Sequence, residues 1–383
     1  MAGPGAVTRA FPREETVAPY RTLLTASAVS AEGLLAPIGV GGDSDISEVL
    51  AASSLRFAGW SDEGPVLTRP PRQARLADGT SVACLRWAIK IAAPAGHEGL
   101  AWGDTHFANG LAEALRRLGQ EVVIDAFAAR NRATSAIDDV SLVLRGPRRI
   151  DPPAHGRSLL WIISHPDEIT SDELSKYDRI FAASIPWAAR AGARLGHSIT
   201  PLLQCTDAVL FRPQGIPRGK DIVFVGTARG IARPSVVAPI EAGVDVTVYG
   251  PDWRRFIPGR FIRASGISHS DLPARYESAA VVLNDHWPAM QKEGFISNRA
   301  YDVVAAGGRV ISDTVEGLQE HFGGAVRTYD STSELIGMLR GDLDDLFPSY
   351  EKLDAVSRRV RMEDSFDARA QVLLDAAIGT LAR

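Results

Sequence analysis

The sequence contains very little cysteine. Only Cys84 and Cys205 occur among its 383 residues, and they lie far apart along the chain. This usage predicts neither a disulfide framework nor a zinc cluster. It is typical of a protein that works in a reducing compartment.

Long apolar runs are also missing. The N-terminal stretch "MAGPGAVTRAFPREE" has no apolar signal core, and no run approaches the roughly 20 apolar residues that span a bilayer. We therefore expect a cytoplasmic protein without a transmembrane segment.

The chain has no strong excess of either charge. Its 42 Lys and Arg residues nearly balance its 46 Asp and Glu residues, which leaves a net charge of −4. Nucleic acid and anionic membrane are therefore not expected partners, and any anion site has to be local. With 45% apolar residues, the chain is long enough for two domains that each bury a core.

Cofactor and metal signatures are scarce. The loop after "IKIAAP" lacks the G-x-G-x-x-G spacing, which argues against a dinucleotide dehydrogenase. Asp43-Ser44-Asp45 resembles a metal-binding D-x-D motif, but Asp45 to Glu48 fits a helix capping box better. We predict no metal site and no cofactor.

What the sequence does show is a repeated alternation of strand and helix patterns. The first series runs from "LRWAIKIAAP" to "SITPLLQ", and the second from "DIVFVG" to "AVRTYD". The pattern predicts an α/β protein with two tandem doubly wound Rossmann-like domains. The predicted segments are an N-terminal extension (1–80), a first domain (81–205), a second domain (206–363) and a C-terminal helix (364–383). The sequence leaves open on which domain this helix packs.

Ligands of open parallel sheets bind beyond the carboxyl ends of the strands. In the second domain three loops lie at this edge. One is Asp285-His286-Trp287, which follows "AVVLN". The other two are the loop after "DIVFVG", with Arg229 and Arg233, and the helix start "SNRAYD", with Asn298 and Arg299. A helix N-terminus and nearby guanidinium groups attract anions. We therefore predict that these residues form a two-sided clamp for a diphosphate.

Two carboxylates accompany this clamp. Asp302, one turn into the same helix, could accept the hydroxyls of a ribose, and Glu293 could accept those of a sugar. Simpler explanations exist: Arg233 could be solvated at a helix start, and Arg299 and Asp302 could form an exposed ion pair. If these explanations were all true, polar and charged residues would have gathered by chance at three loops of the same sheet edge.

The first domain offers polar candidates at the corresponding edge. His165 follows "SLLWIIS", a strand that we expect to be central. Asp104, which is placed to cap the next helix, is followed by Thr105 and His106. We predict that His165 faces the sugar and that the other three residues lie on the acceptor side.

The stretches "GDTHFANGLAEALRRLGQEV", "WIISHPDEIT", "LLQCTDAVLFRP", "DIVFVGTARGIARP" and "EGFISNRAYDVVAAGGRVISD" together resemble glycosyltransferases of the GT-B fold. More narrowly, they resemble the retaining group 1 (family 4-like) enzymes in their CgeB-like, spore-protein-like branch. The chain departs from the family signature at Asp302, where glutamate is usual, in one extra residue after Glu293, and at Gly308-Arg309.

The resemblance implies roles for individual residues. Glu293 and His165 would be the catalytic residues beside the sugar, and Asp302 would hold the ribose. The implied donor-binding residues are Gly226, Thr227, Arg229, Arg233, Asn284, Gly294, Phe295, Asn298, Arg299 and Asp302.

The predicted function is transfer of a sugar, of the hexosyltransferase type, from a nucleoside-diphosphate sugar to an unidentified acceptor. Pre-placed cations would stabilise charge on the leaving phosphate without a metal, and the resemblance implies retention. Two alternatives remain open at this point. One is a sugar-nucleotide epimerase using Asp167 and Glu168, and the other is a non-catalytic scaffold of the same fold. The sequence leaves the oligomeric state undetermined.

Overall fold

The structure is a computed structural model that describes residues 56–61, 64–68, 72–100, 102–132, 135, 138–154 and 156–381. The D-x-D motif at Asp43 and the capping box at Asp45 lie outside these ranges. Within them, no helix is both long and apolar enough to cross a membrane.

Two antiparallel hairpins precede the first domain. They are formed by β1 (Arg56–Ser61) with β2 (Gly64–Thr68), and by β3 (Arg72–Arg75) with β4 (Ser81–Cys84). The second hairpin packs on the first domain, because the Gln120 amide donates a hydrogen bond of 2.8 Å to the Ala83 carbonyl. Ala74 of β3 lies against the first domain as well, because a Cβ on Gly119 would come within 2.9 Å of the Ala74 Cβ. The last residues of the predicted extension (1–80) therefore pack on the first domain.

The first domain contains a six-stranded parallel sheet, with strand order β10-β9-β8-β7-β5-β6. Its strands are β5 (Arg86–Lys90), β6 (Glu121–Asp125), β7 (Val140–Arg145), β8 (Arg157–Ile162), β9 (Arg179–Ala182) and β10 (Thr200–Pro201). All six residues of β7 are buried, as expected for a parallel strand covered on both faces. The strand that precedes His165, β8, has neighbours on both sides, as predicted.

The second domain repeats this layer with the order β13-β12-β11-β14-β15-β16, again all parallel. Its strands are β11 (Ile222–Val225), β12 (Val246–Tyr249), β13 (Ile262–Ala264), β14 (Val281–Asn284), β15 (Val310–Asp313) and β16 (Val326–Tyr329). This is the doubly wound order, whose direction reverses between β11 and β14. Ligands of such sheets bind at this switch point.

Helices cover both faces of the two sheets. In chain order they are α1 (His97–Leu100), α2 (Gly103–Arg117), α3 (Ser171–Leu174), α4 (Ile185–Leu195), α5 (Pro234–Glu241), α6 (Leu272–Ser278), α7 (Pro288–Lys292), α8 (Asn298–Ala305), α9 (Leu318–His321), α10 (Thr332–Arg340), α11 (Leu343–Leu346), α12 (Tyr350–Glu363) and α13 (Phe366–Leu381). Asp104 does not cap α2 as predicted, because the helix begins one residue earlier and places Asp104 in its first turn.

The C-terminal helix α13 crosses back to the first domain. Its Phe366 ring meets the Phe107 ring of α2 edge-on at 4.8 Å. The chain passes between the domains twice, once near Thr206 and once near Ser365. These two residues form an isolated parallel β-bridge, so the two connections run side by side. The structure thus decides which domain carries this helix, a choice that the sequence left open.

Candidate functional site

A cleft of about 610 Å³ lies between the two domains. The first domain lines it with Gly103, His106 and Phe107, and the crossing helix adds Phe366. The second domain contributes loops at the carboxyl ends of β11, β12 and β13 and the start of α8. Its lining residues include Gly226, Thr227, Tyr249, Asn298, Arg299 and Asp302.

Three arginines converge where β11 ends, as the sequence predicts. The Cζ atoms of Arg233 and Arg299 lie 4.5 and 5.1 Å from the centre of the Phe224 ring. Gly226, at φ 147°, makes room for them, because a Cβ there would lie 2.9 Å from Nη2 of Arg299 and 3.6 Å from Nη1 of Arg233. A side chain at this position would displace the guanidinium group of Arg299, whereas its distance from Arg233 would be an ordinary contact.

Arg229 approaches the same place from its own loop. Its guanidinium stacks over the Trp287 ring at 4.5 Å, and Nη1 lies 3.9 Å from the nearer Asp285 oxygen. Burial, followed by the charge of Arg299, lowers the pKa of Arg229 to about 10, so the group stays cationic near neutral pH. Because three guanidinium groups face two carboxylates, Asp285 and Asp313, this edge keeps an excess of positive charge.

Arg233 differs from the other two arginines, and its predicted role as a direct diphosphate ligand needs correction. Its side chain is only 2% exposed. Nε and Nη2 bond both oxygens of Asp285, and Nη1 donates to the Thr227 carbonyl at 2.8 Å. Each of its three side-chain nitrogens therefore already has a partner within the second domain, and Arg233 organises the loop that carries Arg229.

The helix α8 begins at Asn298, directly at the cleft. Asp302 accepts hydrogen bonds from Thr206 Oγ1 (2.7 Å) and Asn298 Nδ2 (3.1 Å). Its burial raises its pKa to about 8. The exposed Arg299–Asp302 ion pair considered above is therefore wrong, because Arg299 bonds Asn284 at 2.9 Å instead.

Asn284 was predicted to contact the donor, and the structure places it elsewhere. Its residue is fully buried. Its Oδ1 accepts from Ser297 Oγ (3.0 Å) and from Arg299 Nη1, while Nδ2 donates to Ser312 Oγ (2.9 Å). The hydrogen bonds of the Asn284 side-chain amide thus orient its neighbours.

The residues Glu293 to Phe295 lie at the interface between the domains. The Glu293 carboxylate accepts from Arg190 of the first domain (2.9 Å), and its carbonyl accepts from Ser184 Oγ (2.7 Å). The Phe295 ring is fully buried, edge-on to Trp187 at 5.5 Å. The predicted donor contact of the Phe295 side chain is therefore wrong, because the ring serves interdomain packing.

Gly294 and Glu293 belong to this interface more than to the cleft. Gly294 adopts φ 73°, and a Cβ there would lie 2.7 Å from Pro186 of the first domain. The glycine thus permits close approach of the two domains. Neither residue is part of the described lining of the cleft, so their roles beside the sugar stay predictions.

His165 lies at the carboxyl end of the first sheet in the left-handed conformation, at φ 53°. Its Nδ1 is 2.8 Å from Ser164 Oγ, and its ring centre is 6.3 Å from that of Trp287 in the second domain. Burial lowers its pKa. The geometry brings His165 to the interdomain side where Arg229 stacks on the same tryptophan.

The three acceptor-side candidates have different environments. His106 lines the cleft, and its ring stacks on that of His269 from the second domain at 4.3 Å. Thr105 Oγ1 donates to the Gly99 carbonyl (2.7 Å). Burial raises the pKa of Asp104 to about 6, and among the described residues its Oδ2 finds no hydrogen-bond partner.

Several residues of this region were given no role from the sequence. Trp287 and His269 present aromatic rings at the domain boundary, and His286 with Asp313 forms a buried hydrogen-bonded pair. The sequence identified the loop of His286 and Trp287, which follows strand β14, as one of the three at this edge, but it did not single out His269. Asp313 is the last residue of β15. Within the described residues, no group of three His, Cys, Asp or Glu side chains could hold a metal ion.

Comparison with known proteins agrees with this geometry. Residues 233–375 match the family described as "Glycosyl transferase-like". The match covers the C-terminal part of the chain, which is therefore similar to this family. Together with the fold, it supports a transferase enzyme.

Solved structures of glycosyltransferases share the fold over most of the chain. AviGT4, a glycosyltransferase involved in avilamycin A biosynthesis, is 16% identical and covers 78% of this chain and 98% of its own, with a TM-score of 0.50. Sucrose-phosphate synthase from Thermosynechococcus elongatus is 14% identical, and the match covers 78% of this chain and 99% of the synthase, with a TM-score of 0.52. The DNA-modifying enzyme β-glucosyltransferase is 13% identical, and the match covers 77% of this chain and 99% of that enzyme, with a TM-score of 0.51. The predicted fold class, two parallel-sheet Rossmann-like domains of the GT-B type, is confirmed.

One curated protein also matches a short segment. N-acetyl-gamma-glutamyl-phosphate reductase from Halorhodospira halophila is 32% identical over 111 residues, or 29% of this chain. The chain spans about a third of the length of that relative. So short a match says nothing of the activity of the whole protein.

Proposed function

We propose that the protein is a glycosyltransferase that moves a sugar from a nucleoside-diphosphate sugar to an acceptor. We further propose retention at the anomeric carbon, no requirement for a metal ion, and membership of the retaining group 1, CgeB-like branch. The observation that carries the proposal is the meeting of Arg229, Arg299 and the start of α8 beside the interdomain cleft. A nucleotide sugar also fits the β-glucosyltransferase neighbour, whose substrate is UDP-glucose.

The arrangement suits departure of a nucleoside diphosphate. Breaking the glycosidic bond builds negative charge on the β-phosphate, which pre-placed guanidinium groups and helix N–H groups stabilise. Arg299 donates to that charge from the helix, and Arg229 does so from the β11 loop. In this proposal Asp302, which lines the cleft, accepts the ribose hydroxyls, and closing of the cleft excludes water.

The two alternatives are less well supported by the geometry. An epimerase would need acid and base groups facing the sugar, but Asp167 and Glu168 are exposed and are not among the described residues that line the cleft. Glu168 pairs with Arg145 at 3.3 Å. A pure scaffold would have no reason to collect positive charge at this edge.

The proposal is tested by donor binding. UDP-, GDP-, ADP- and TDP-sugars are screened by thermal shift, since a ligand of the folded state raises the melting temperature. Arg299→Met should weaken binding of the best donor at least tenfold, because a charge-assisted hydrogen bond contributes about 1.5–3 kcal/mol. Arg358→Met is the matched control, because Arg358 pairs with Asp354 on an exposed face of α12.

Further outcomes separate the alternatives. Epimer formation in the absence of an acceptor would support the epimerase, and failure of every donor to bind would support the scaffold. Once an acceptor is found, NMR of the product anomer decides retention, and activity in EDTA decides the metal requirement.

A further inference from the structure

A buried hydrogen-bond network links the ends of strands β14 and β15 to the start of helix α8. The Asp313 carboxylate accepts from His286 twice, through the ring Nδ1 at 2.6 Å and the backbone N–H at 3.0 Å. On the other side of the ring, His286 Nε2 lies 3.0 Å from the backbone nitrogen of Ser297. The imidazole thus bridges Asp313 and the residue that precedes α8.

The direction of these bonds follows from their partners. A backbone N–H can only donate, so Nε2 of His286 has to accept through its lone pair. The ring proton therefore sits on Nδ1 and is donated to Asp313. This tautomer gives His286 one defined role, which is to satisfy the Ser297 N–H while Asp313 holds the ring in place.

A second chain of hydrogen bonds, or arm, begins at the Asp313 carboxylate; the first arm is the one through His286. Ser312 Oγ donates to Asp313 Oδ1 (3.0 Å) and accepts from Asn284 Nδ2 (2.9 Å). Asn284 Oδ1 in turn accepts from Ser297 Oγ and from Arg299 Nη1. Both arms thus begin at Asp313 and end on the Ser297–Arg299 segment.

The members of this network are shielded from solvent. The His286 side chain is fully buried, and Asn284 and Ser312 are 0% exposed. A ligand in the cleft would meet Arg299 and Asn298 and not the imidazole. Since buried polar groups with all partners in place favour one arrangement, any effect of His286 on a ligand has to pass through the segment that it holds.

We propose that His286 and Asp313 are positioning residues that fix the Ser297–Arg299 segment so that Arg299 and the helix N-terminus face the cleft. The inference rests on the proposed donor site, since it assigns these two residues to the support of that site. The competing explanation is that the pair only stabilises the second domain.

Two substitutions of His286 test the roles of its two ring nitrogens one at a time. In His286→Gln, the side-chain oxygen can reach the position of Nε2 and keep an acceptor for the Ser297 N–H. In His286→Asn, the side-chain NH₂ can take the position of Nδ1 and keep the bond to Asp313, but the acceptor for Ser297 is lost. His321→Asn is the matched control, because His321 and Asp364 form another His–Asp pair of this domain at 2.9 Å.

The first measurement is the affinity for UDP-glucose by calorimetry. We expect His286→Asn to weaken binding at least tenfold, while His286→Gln and His321→Asn stay within about threefold of the unsubstituted protein. In an Arg299→Met background, His286→Asn should have little further effect, because both changes remove the same contact. Equal losses in His286→Asn and His321→Asn, or additive losses with Arg299→Met, would overturn the positioning role.

The second measurement needs no ligand. Hydrogen exchange of the Ser297 to Ala300 amides should be at least tenfold faster in His286→Asn and near normal in His286→Gln. Unchanged exchange in His286→Asn would refute the inference even if UDP-glucose binds. If the unsubstituted protein binds none of the nucleotide sugars, the proposed function fails, and the exchange measurement still decides whether His286 orders the segment.

Discussion

Arg233 and Asp285 face each other as a bidentate pair beneath the loop that follows β11. The side chains of the two residues are 2% and 11% exposed. Ser235 Oγ also donates to the same carboxylate. Arg233, which was predicted to bind a diphosphate, thus forms a buried ion pair within the second domain.

Arg233→Ala should destabilise the protein, because it leaves the Asp285 carboxylate buried without its main partner. Removing one member of a buried ion pair costs about 3–5 kcal/mol, so chemical denaturation should show a loss of that size. Arg358→Ala, which removes an exposed pair with Asp354, should change stability by less than about 1 kcal/mol. Equal losses in the two variants would contradict the structural role of Arg233.

Asp302 should make stability depend on pH. Its pKa of about 8 lies above the ordinary value of 3.8, so between these values the folded state holds a proton that the unfolded state has released. The free energy of unfolding should therefore fall as the pH rises through this window. Because an amide cannot ionise, the melting temperature of Asp302→Asn should rise relative to that of the unsubstituted protein between pH 5 and pH 8, by at least about 2–4 °C. Melting curves that stay parallel from pH 5 to 8.5 would refute the assignment.

The His106–His269 stack should weaken in acid. Burial lowers the pKa of both rings, and the charge of His106 further lowers that of His269, while Asp207 acts in the opposite direction. Below the unfolded value of about 6.5, the unfolded state takes up protons first, so stability should fall as the pH drops from 7 to 5. His269→Phe should flatten this dependence, and substitution of the exposed His97 by Phe should not. An unaltered pH dependence in His269→Phe would show that the stack has no such effect.

The crossing helix should stabilise the first domain through Phe366. This residue is 4% exposed, and its ring packs so closely on Gly110 that a Cβ there would lie 2.4 Å away. Phe366→Ala should cost about 3–5 kcal/mol in chemical denaturation, since it removes a core ring and leaves a cavity. Ile378 on the same helix is 40% exposed, so Ile378→Ala should cost much less. Similar losses in both would mean that the helix is held without this contact.

Much of the site could be located from the sequence, because parallel sheets have directional edges. Once "DIVFVG" and "AVVLND" are read as neighbouring strands, their following loops have to meet at one edge. Arg229 and Arg299 do come close there, since the charge of Arg299 lowers the pKa of Arg229. Asn298 was expected at the same edge because it begins the helix there, and Asp302 because it lies one turn further along that helix.

The residue roles were harder to predict, because they depend on what each side chain touches. Asn284, Phe295 and Arg233 follow strands or precede helices, as ligand-binding residues often do. In the structure Asn284 orients Arg299, Phe295 packs on Trp187 of the other domain, and Arg233 pairs with Asp285. Residue type and position along the chain do not distinguish these environments.

The sequence by itself determined the alternation of strands and helices, the parallel sheets and the edge at which polar loops gather, because these follow from local periodicity and chain direction. Only the tertiary structure decided that α13 returns to the first domain, that Arg299 bonds Asn284, and that Arg233 pairs with Asp285. Such choices depend on contacts between residues far apart in the chain, whose distances and burial are set only when the two domains pack.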